Sequence, residues 1–270
     1  MSFSYFLYIL LSSFTILPKN VFVFIFGNLF YLVDKRRKKV IEVNKKLAGI
    51  DFDTKKIYLN FVKHIYENIK FSKMSVEELK NYVTFEGFEN LPKQVIFVTA
   101  HFGNWEVMPM AVGGILDYKL SIIGRKLDDE KLNEIIVKKR EKFNVKVYFR
   151  EGGLRNLMKD LKQGRSVGLL VDQNTAKEEG IETKFFEKRV LQTPSAALLS
   201  KKFKIPIAMV FCEPDGDKYK IKVVDVFMED DIQKSVDRQS KIIEDEVRKY
   251  PEEYYWFHRR FKHFYEEEYA

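Results

Sequence analysis

Two apolar arms open the chain, Tyr5 to Leu17 and Val21 to Val33, parted by Pro18-Lys19-Asn20. Each has the length of a short helix reaching roughly 20 Å, less than the roughly 30 Å hydrocarbon core of a bilayer. A hairpin dipping into one leaflet fits this pattern best. A single kinked, tilted span with Lys19 in its middle, or a helical pair inside a soluble core, remain open. No basic region precedes the apolar run and no small-residue cleavage site follows it, which argues against a removed signal peptide. Directly after the arms comes Asp34-Lys35-Arg36-Arg37-Lys38-Lys39. Basic residues beside an apolar segment contribute about 1 kcal/mol each near anionic lipid, and their excess places this side in the cytoplasm.

From Asp53 the periodicity is that of a globular domain. Asp53 or Thr54 can cap a helix in which Ile57, Phe61, Ile65 and Ile69 share one face, and Ser75 with Glu78 has the form of a capping box. His64 on that helix has no visible partner and reads as structural. Apolar runs then alternate with helical periodicity: strands at 95–99, 119–123, 145–149 and 166–171, helices at 105–116, 129–143 and 153–163. A helix at 194–203 follows, then strands at 206–212 and 219–226 joined by Pro214-Asp215-Gly216-Asp217, and closing helices from Asp231. This order predicts an α/β fold, a central mixed and largely parallel sheet covered by helices, with an N-terminal apolar helical membrane anchor. Residues 1–34 form the expected anchoring region and 35–270 a single domain.

Composition narrows the partners. The 270 residues carry a formal net charge of +8, with 24 Phe and 14 Tyr, which favours anionic partners: phospholipid head groups, phosphorylated substrates, acidic proteins or nucleic acid. A nucleic-acid role would leave the apolar arms unexplained. The single cysteine, Cys212, excludes an intrachain disulfide and a cysteine-based zinc site; within the run from Ile207 to Phe211 it reads as inert core.

The candidate chemistry lies in His101-Phe102-Gly103-Asn104-Trp105-Glu106, at the end of the apolar run Val95-Ile96-Phe97-Val98. Asn104 can cap a helix beginning at Trp105, so that Glu106 in the first turn doubles back to accept the imidazole N–H of His101 and leaves its other nitrogen as a base. A single histidine near a strand end is more often structural; other strand ends decide against that. Arg125 follows the second strand, Arg150 the third, and Asp172-Gln173 the fourth, all at the edge where α/β sheets hold ligands. An arginine there can hold a phosphate, and an acid can fix that arginine or a substrate hydroxyl. No Walker motif or dinucleotide fingerprint is present.

The run from His101 to Glu106 resembles the H-x-x-x-x-D/E block of glycerolipid acyltransferases, in the form used by bacterial lipid A late acyltransferases, the lauroyl and myristoyl transferases. Arg125, Asp172-Gln173, Thr193-Pro194, and Trp256 with His258-Arg259-Arg260-Phe261-Lys262 resemble further blocks of that family, in order and over nearly the whole chain. The resemblance implies transfer of a fatty acyl group from acyl-carrier protein to a hydroxyl of a lipid A precursor, at the cytoplasmic face of the bacterial inner membrane. His101 would be the general base and Glu106 its orienting acid, with Asn104, Arg125, Arg150, Asp172 and Gln173 on the substrate. Backbone N–H groups of Phe102 to Trp105 would serve as oxyanion donors. No metal or cofactor is needed, because a thioester is already activated. The basic stretch from Arg259 to Lys262 is either a docking face for acyl-carrier protein or lipid phosphates, or is tied to Glu252, Glu253 or Glu266 to Glu268. One departure stands out: after Phe185-Phe186 the family generally has glycine, and this chain has Glu187. Acyl transfer to lysophosphatidate or another phosphoglycolipid, and a noncatalytic membrane lipid-binding protein, are the competing readings.

Overall fold

A computed structural model describes residues 3–126 and 128–270, the side chains of residues 3–7 and of Arg150 excepted. Helix α1 (Phe3–Phe14) is followed by α2 (Lys19–Phe22), a π-helical turn (Val23–Gly27) and α3 (Asn28–Val33), which run on as one rod. Next come α4 (Lys35–Ala48), α5 (Thr54–Phe71) and α6 (Val76–Leu79). The domain continues with β1 (Val83–Glu86), β2 (Ile96–Thr99), α7 (Val107–Gly114), β3 (Leu120–Gly124), α8 (Glu130–Glu141), β4 (Val145–Phe149), α9 (Arg150–Lys162) and β5 (Ser166–Leu170). A hairpin of β6 (Ile181–Phe185) and β7 (Lys188–Gln192) precedes α10 (Ser195–Phe203), β8 (Ile207–Asp215), β9 (Lys218–Phe227) and α11 (Ile232–Lys249). Two 3-10 turns, Pro251–Glu253 and Glu266–Tyr269, close the chain.

The main sheet has the order β1-β9-β8-β2-β5-β3-β4. Every neighbouring pair is parallel except β8 with β9, so the expected mixed, largely parallel sheet is what forms. Alternation along the strands splits the core in two. Ile96, Val98, Val167, Leu169, Ile207 and Met209 face a layer built from α4, the start of α5, α9, α10, α11 and the C-terminal segment. Phe97, Ala208, Val210 and Cys212 face α7 and the β1 side. Cys212 is fully buried. The capping box at Ser75 forms, and Asp53 caps α5 by accepting from the Lys55 amide at 2.8 Å.

The N-terminal arms differ from a free anchor. Among the described residues no helix is long and apolar enough to cross a membrane. Lys19 is not stranded in an apolar span: it pairs with Glu67 of α5 at 3.5 Å and with Asp217 of the β8–β9 turn at 2.8 Å. Phe22 packs on Tyr66, whose hydroxyl donates to the Leu17 carbonyl at 3.0 Å. The rod is therefore fastened to the domain along one side, while Phe24, Leu29, Leu32 and Val33 on another remain more than half exposed.

The β6–β7 hairpin explains the departure at Glu187. Its two turn residues, Phe186 and Glu187, have φ of 51° and 57°, the left-handed pair of a tight hairpin, where glycine is the unstrained choice.

Candidate active site

Register places the site. β2 and β5 are paired with Thr99 opposite Leu170, so continuing each strand by two residues brings His101 beside Asp172. The His101 Nδ1 lies 2.8 Å from Asp172 Oδ1. Asp172 is buried, with the His101 backbone N–H, the Tyr254 hydroxyl and the buried Arg260 guanidinium close to its carboxylate. Burial alone would raise its pKa, but the charge and hydrogen bond of His101, helped by the Arg260 charge, outweigh burial and hold it below the ordinary carboxylate value. Burial lowers the pKa of His101, and the Asp172 charge and hydrogen bond, helped by the Glu106 charge, more than reverse that, so the imidazole sits above its ordinary value. The His101 side chain keeps 20% exposure, and its Nε2 lies 3.3 Å from Gln173 Nε2.

This corrects the expected pairing. Glu106 does not accept the imidazole N–H; its carboxylate takes a hydrogen bond from Arg140 of α8. The reason is local. Asn104 does not cap a helix at Trp105: the helix starts at Val107, whose amide donates to the Asn104 carbonyl at 3.1 Å, with Glu106 as N-cap. The carboxylate of Glu106 thus points toward α8 and acts on His101 only through its charge. Asn104 is buried, its backbone N–H close to the Cys212 sulfur, and both polar atoms of its side chain have no partner among the described residues.

The C-terminal segment clamps the loop. Gly103 donates its N–H to the Glu253 carbonyl at 2.9 Å, Tyr255 donates to the His101 carbonyl at 2.9 Å, and Phe102 bridges Tyr254. Gly103 has φ +55°, and a Cβ there would lie 1.8 Å from the Cys212 carbonyl oxygen, so only glycine fits. Phe102 and Gly103 have spent their amides on the Ala100 and Glu253 carbonyls, which removes two of the four expected oxyanion donors. His64 is not partnerless either: its Nε2 lies 3.4 Å from Glu253 Oε2.

Beyond the clamp, Trp256 is buried and its indole donates to the Pro251 carbonyl at 2.8 Å. His258 accepts the Asn174 N–H at 3.0 Å, and burial pushes its pKa down to about 4. Arg260 is buried, donating to the Leu191 carbonyl at 2.6 Å and to Gln192 Oε1 at 3.2 Å. With Phe261 buried too, half of the basic stretch from Arg259 to Lys262 lies inside the protein, where it can neither dock a partner nor pair with the surface glutamates. Arg259 lies over the Tyr269 ring at 5.7 Å. Arg125 follows β3 at the same sheet edge and is exposed. Arg150 begins α9 at the end of β4, and its side chain is outside the described ones. Arg140, Tyr254 and the clamp residue Glu253 are site residues that the sequence reading missed.

A paired imidazole and carboxylate at the carboxyl end of parallel strands, with arginines along that edge, is an arrangement for moving a proton beside an anionic substrate. Residues 2–263 match the model of a family described as bacterial lipid A biosynthesis acyltransferase. The chain belongs to that family. Membership agrees with the ordered blocks from His101 to Lys262 and makes this an acyltransferase by family. The fold is also similar to the crystal structure of the 1-acyl-sn-glycerophosphate (LPA) acyltransferase, PlsC, from Thermotoga maritima, at 16% identity, covering 85% of this chain and 95% of that one, with a TM-score of 0.40. A likeness of that degree distinguishes no donor and no acceptor. Comparison with curated proteins gives no significant match.

Proposed function

We propose that this member of the lipid A acyltransferase family moves a fatty acyl chain from acyl-carrier protein to a hydroxyl of a lipid A precursor. The supporting observation is the His101–Asp172 contact of 2.8 Å on an imidazole side chain that keeps 20% exposure. His101 Nε2 removes the acceptor proton as its oxygen attacks the thioester carbonyl. Asp172 fixes the tautomer with the proton on Nδ1 and stabilises the imidazolium that forms. Collapse of the tetrahedral intermediate breaks the C–S bond, and the imidazolium returns its proton to the departing thiolate. The Gln173 amide and the Trp105 and Glu106 backbone N–H groups are the donors proposed for the oxyanion. Glu106 holds Arg140 in place, and Arg140 with Arg125 and Arg150 receives the phosphates of the acceptor. The orphaned Asn104 amide is assigned to substrate.

The apolar face of the N-terminal rod and the exposed Lys35 and Arg36 are assigned to the cytoplasmic surface of the inner membrane, the rod lying in one leaflet as an anchor. Purified protein in detergent, given a panel of acyl-carrier proteins and lipid A precursors and read by product mass, tests the reading. An acylated lipid A precursor is expected; product only from lysophosphatidate would replace it.

A further inference from the structure

The π-helical turn carries more residues per turn than its flanks, and such turns often mark functional sites. At its end α5 comes close, since a Cβ on Gly27 would lie 2.6 Å from Leu59 Cδ2. Before it a groove of about 310 Å³ opens between rod and α5, with Lys19, Val23, Phe24, Lys55, Leu59 and Lys63 in its walls. That volume is at the low end of ligand sites, about 300–1,000 Å³. The lining contains three lysines and no carboxylate. Lys19 is committed to Asp217 and Glu67. Lys55 and Lys63 have no ion-pair partner among the described residues, Lys63 lying 5.2 Å over the Tyr219 ring. Hydrocarbon walls continue outward into exposed Phe24, Ile25 and Leu29.

We propose that this groove binds one anionic phospholipid, its phosphate between Lys55 and Lys63 and its acyl chain leaving along Val23, Leu59 and Phe24. Two unpaired ammonium groups over an apolar wall match a phosphodiester joined to a hydrocarbon tail, whereas a free phosphate would leave that wall unused. Residues 55, 59 and 63 form one face of α5, and His64 turns from it toward Glu253 and Trp105. The site is thus separate from the reaction centre and does not rest on the acyl-transfer reading.

The test uses the full chain extracted in mild nonionic detergent, with retained lipid identified by mass spectrometry, and co-sedimentation with phosphatidylcholine vesicles with and without phosphatidylglycerol. The wild type should retain an anionic phospholipid. Lys55→Gln with Lys63→Gln should lose it and bind phosphatidylglycerol vesicles roughly tenfold or more weakly. Lys177→Gln with Lys234→Gln, an equal charge loss on exposed residues elsewhere, should keep both. Phe24→Ser, which removes only an exposed side chain, should reduce retention without altering the charge. The proposal is overturned if the control pair weakens vesicle binding equally, if the groove pair keeps its lipid, or if the retained lipid is neutral. Acyl transfer assayed in the same detergent separates the two readings: retained lipid in an inactive protein would sink only the enzymatic one.

Discussion

Replacing Asp172 by Asn changes few atoms and strikes the proposed chemistry directly. The carboxylate accepts the His101 Nδ1–H at 2.8 Å, with the His101 backbone N–H and the Tyr254 hydroxyl close by. An amide has one oxygen, and the neighbouring backbone N–H and hydroxyl can compete with the ring for it. Its NH₂ then faces Nδ1, which must become an acceptor, and the ring proton moves to Nε2, the atom needed as base. A charge-assisted bond worth about 1.5–3 kcal/mol is also lost at the stage where imidazolium forms. Together these cost about 3–5 kcal/mol of transition-state stabilisation, or about 10²–10⁴ in kcat at about 1.4 kcal/mol per tenfold. The pH profile supplies an independent sign. A base must be neutral, and His101 is raised chiefly by Asp172 acting against burial, so wild-type activity should rise with pH through a midpoint above the ordinary histidine value of about 6.5. Without the carboxylate, burial still lowers the pKa, and the residual activity's acidic limb should move to lower pH. Steady-state acyl transfer across pH, with thermal melting as a folding control, measures both. A kcat within a few-fold of wild type and an unmoved limb would refute the orienting role of Asp172.

Other substitutions probe separate parts. Gly103→Ala should destabilise by several kcal/mol or prevent folding, because its Cβ meets the Cys212 carbonyl at 1.8 Å at a φ of +55°; a melting temperature near wild type would show that the loop can relax. Glu187→Gly should raise stability by about 0.5–1 kcal/mol in chemical denaturation by relieving a left-handed φ, since the exposed Lys184–Glu187 pair at 3.3 Å contributes little; a loss would mean that the pair or the stiffer unfolded chain dominates. Arg140→Ala should raise the acceptor Michaelis constant while leaving the acidic limb nearly in place. Glu106→Gln, which loosens Arg140 and removes a charge that raises the His101 pKa, should raise that constant in part and move the limb slightly to lower pH. A limb shift from Glu106→Gln as large as that from Asp172→Asn would return Glu106 to the orienting role.

Much of this was legible from period and position. The strand before His101, the strand before Asp172 and the helices between them follow from apolar runs and caps, and parallel order then sends both side chains to one edge. Which acid meets His101 was not legible, because proximity in sequence favoured Glu106 whereas the match depends on register across β2 and β5. Counting two residues past Thr99 and Leu170 is the signal that finds it, once the strands are known to be neighbours. The Arg140–Glu106 contact joins α8 to the start of α7, and nothing local announces it. The β6–β7 hairpin was missed because its turn is Phe186-Glu187, without the Gly or Asn that normally marks such a turn. For residues 259–262 the sequence left docking face and salt-bridged surface open, and Arg260 is neither: it is buried by a carbonyl acceptor at Leu191 and an amide oxygen at Gln192, which hydropathy cannot show.

The proton-transfer role of His101 is tested most directly by comparing wild type and His101→Ala in single-turnover acyl transfer, with donor and acceptor both saturating. A loss of roughly 100-fold or more with unchanged melting and acceptor binding is expected. Turnover within a few-fold of wild type would contradict the account.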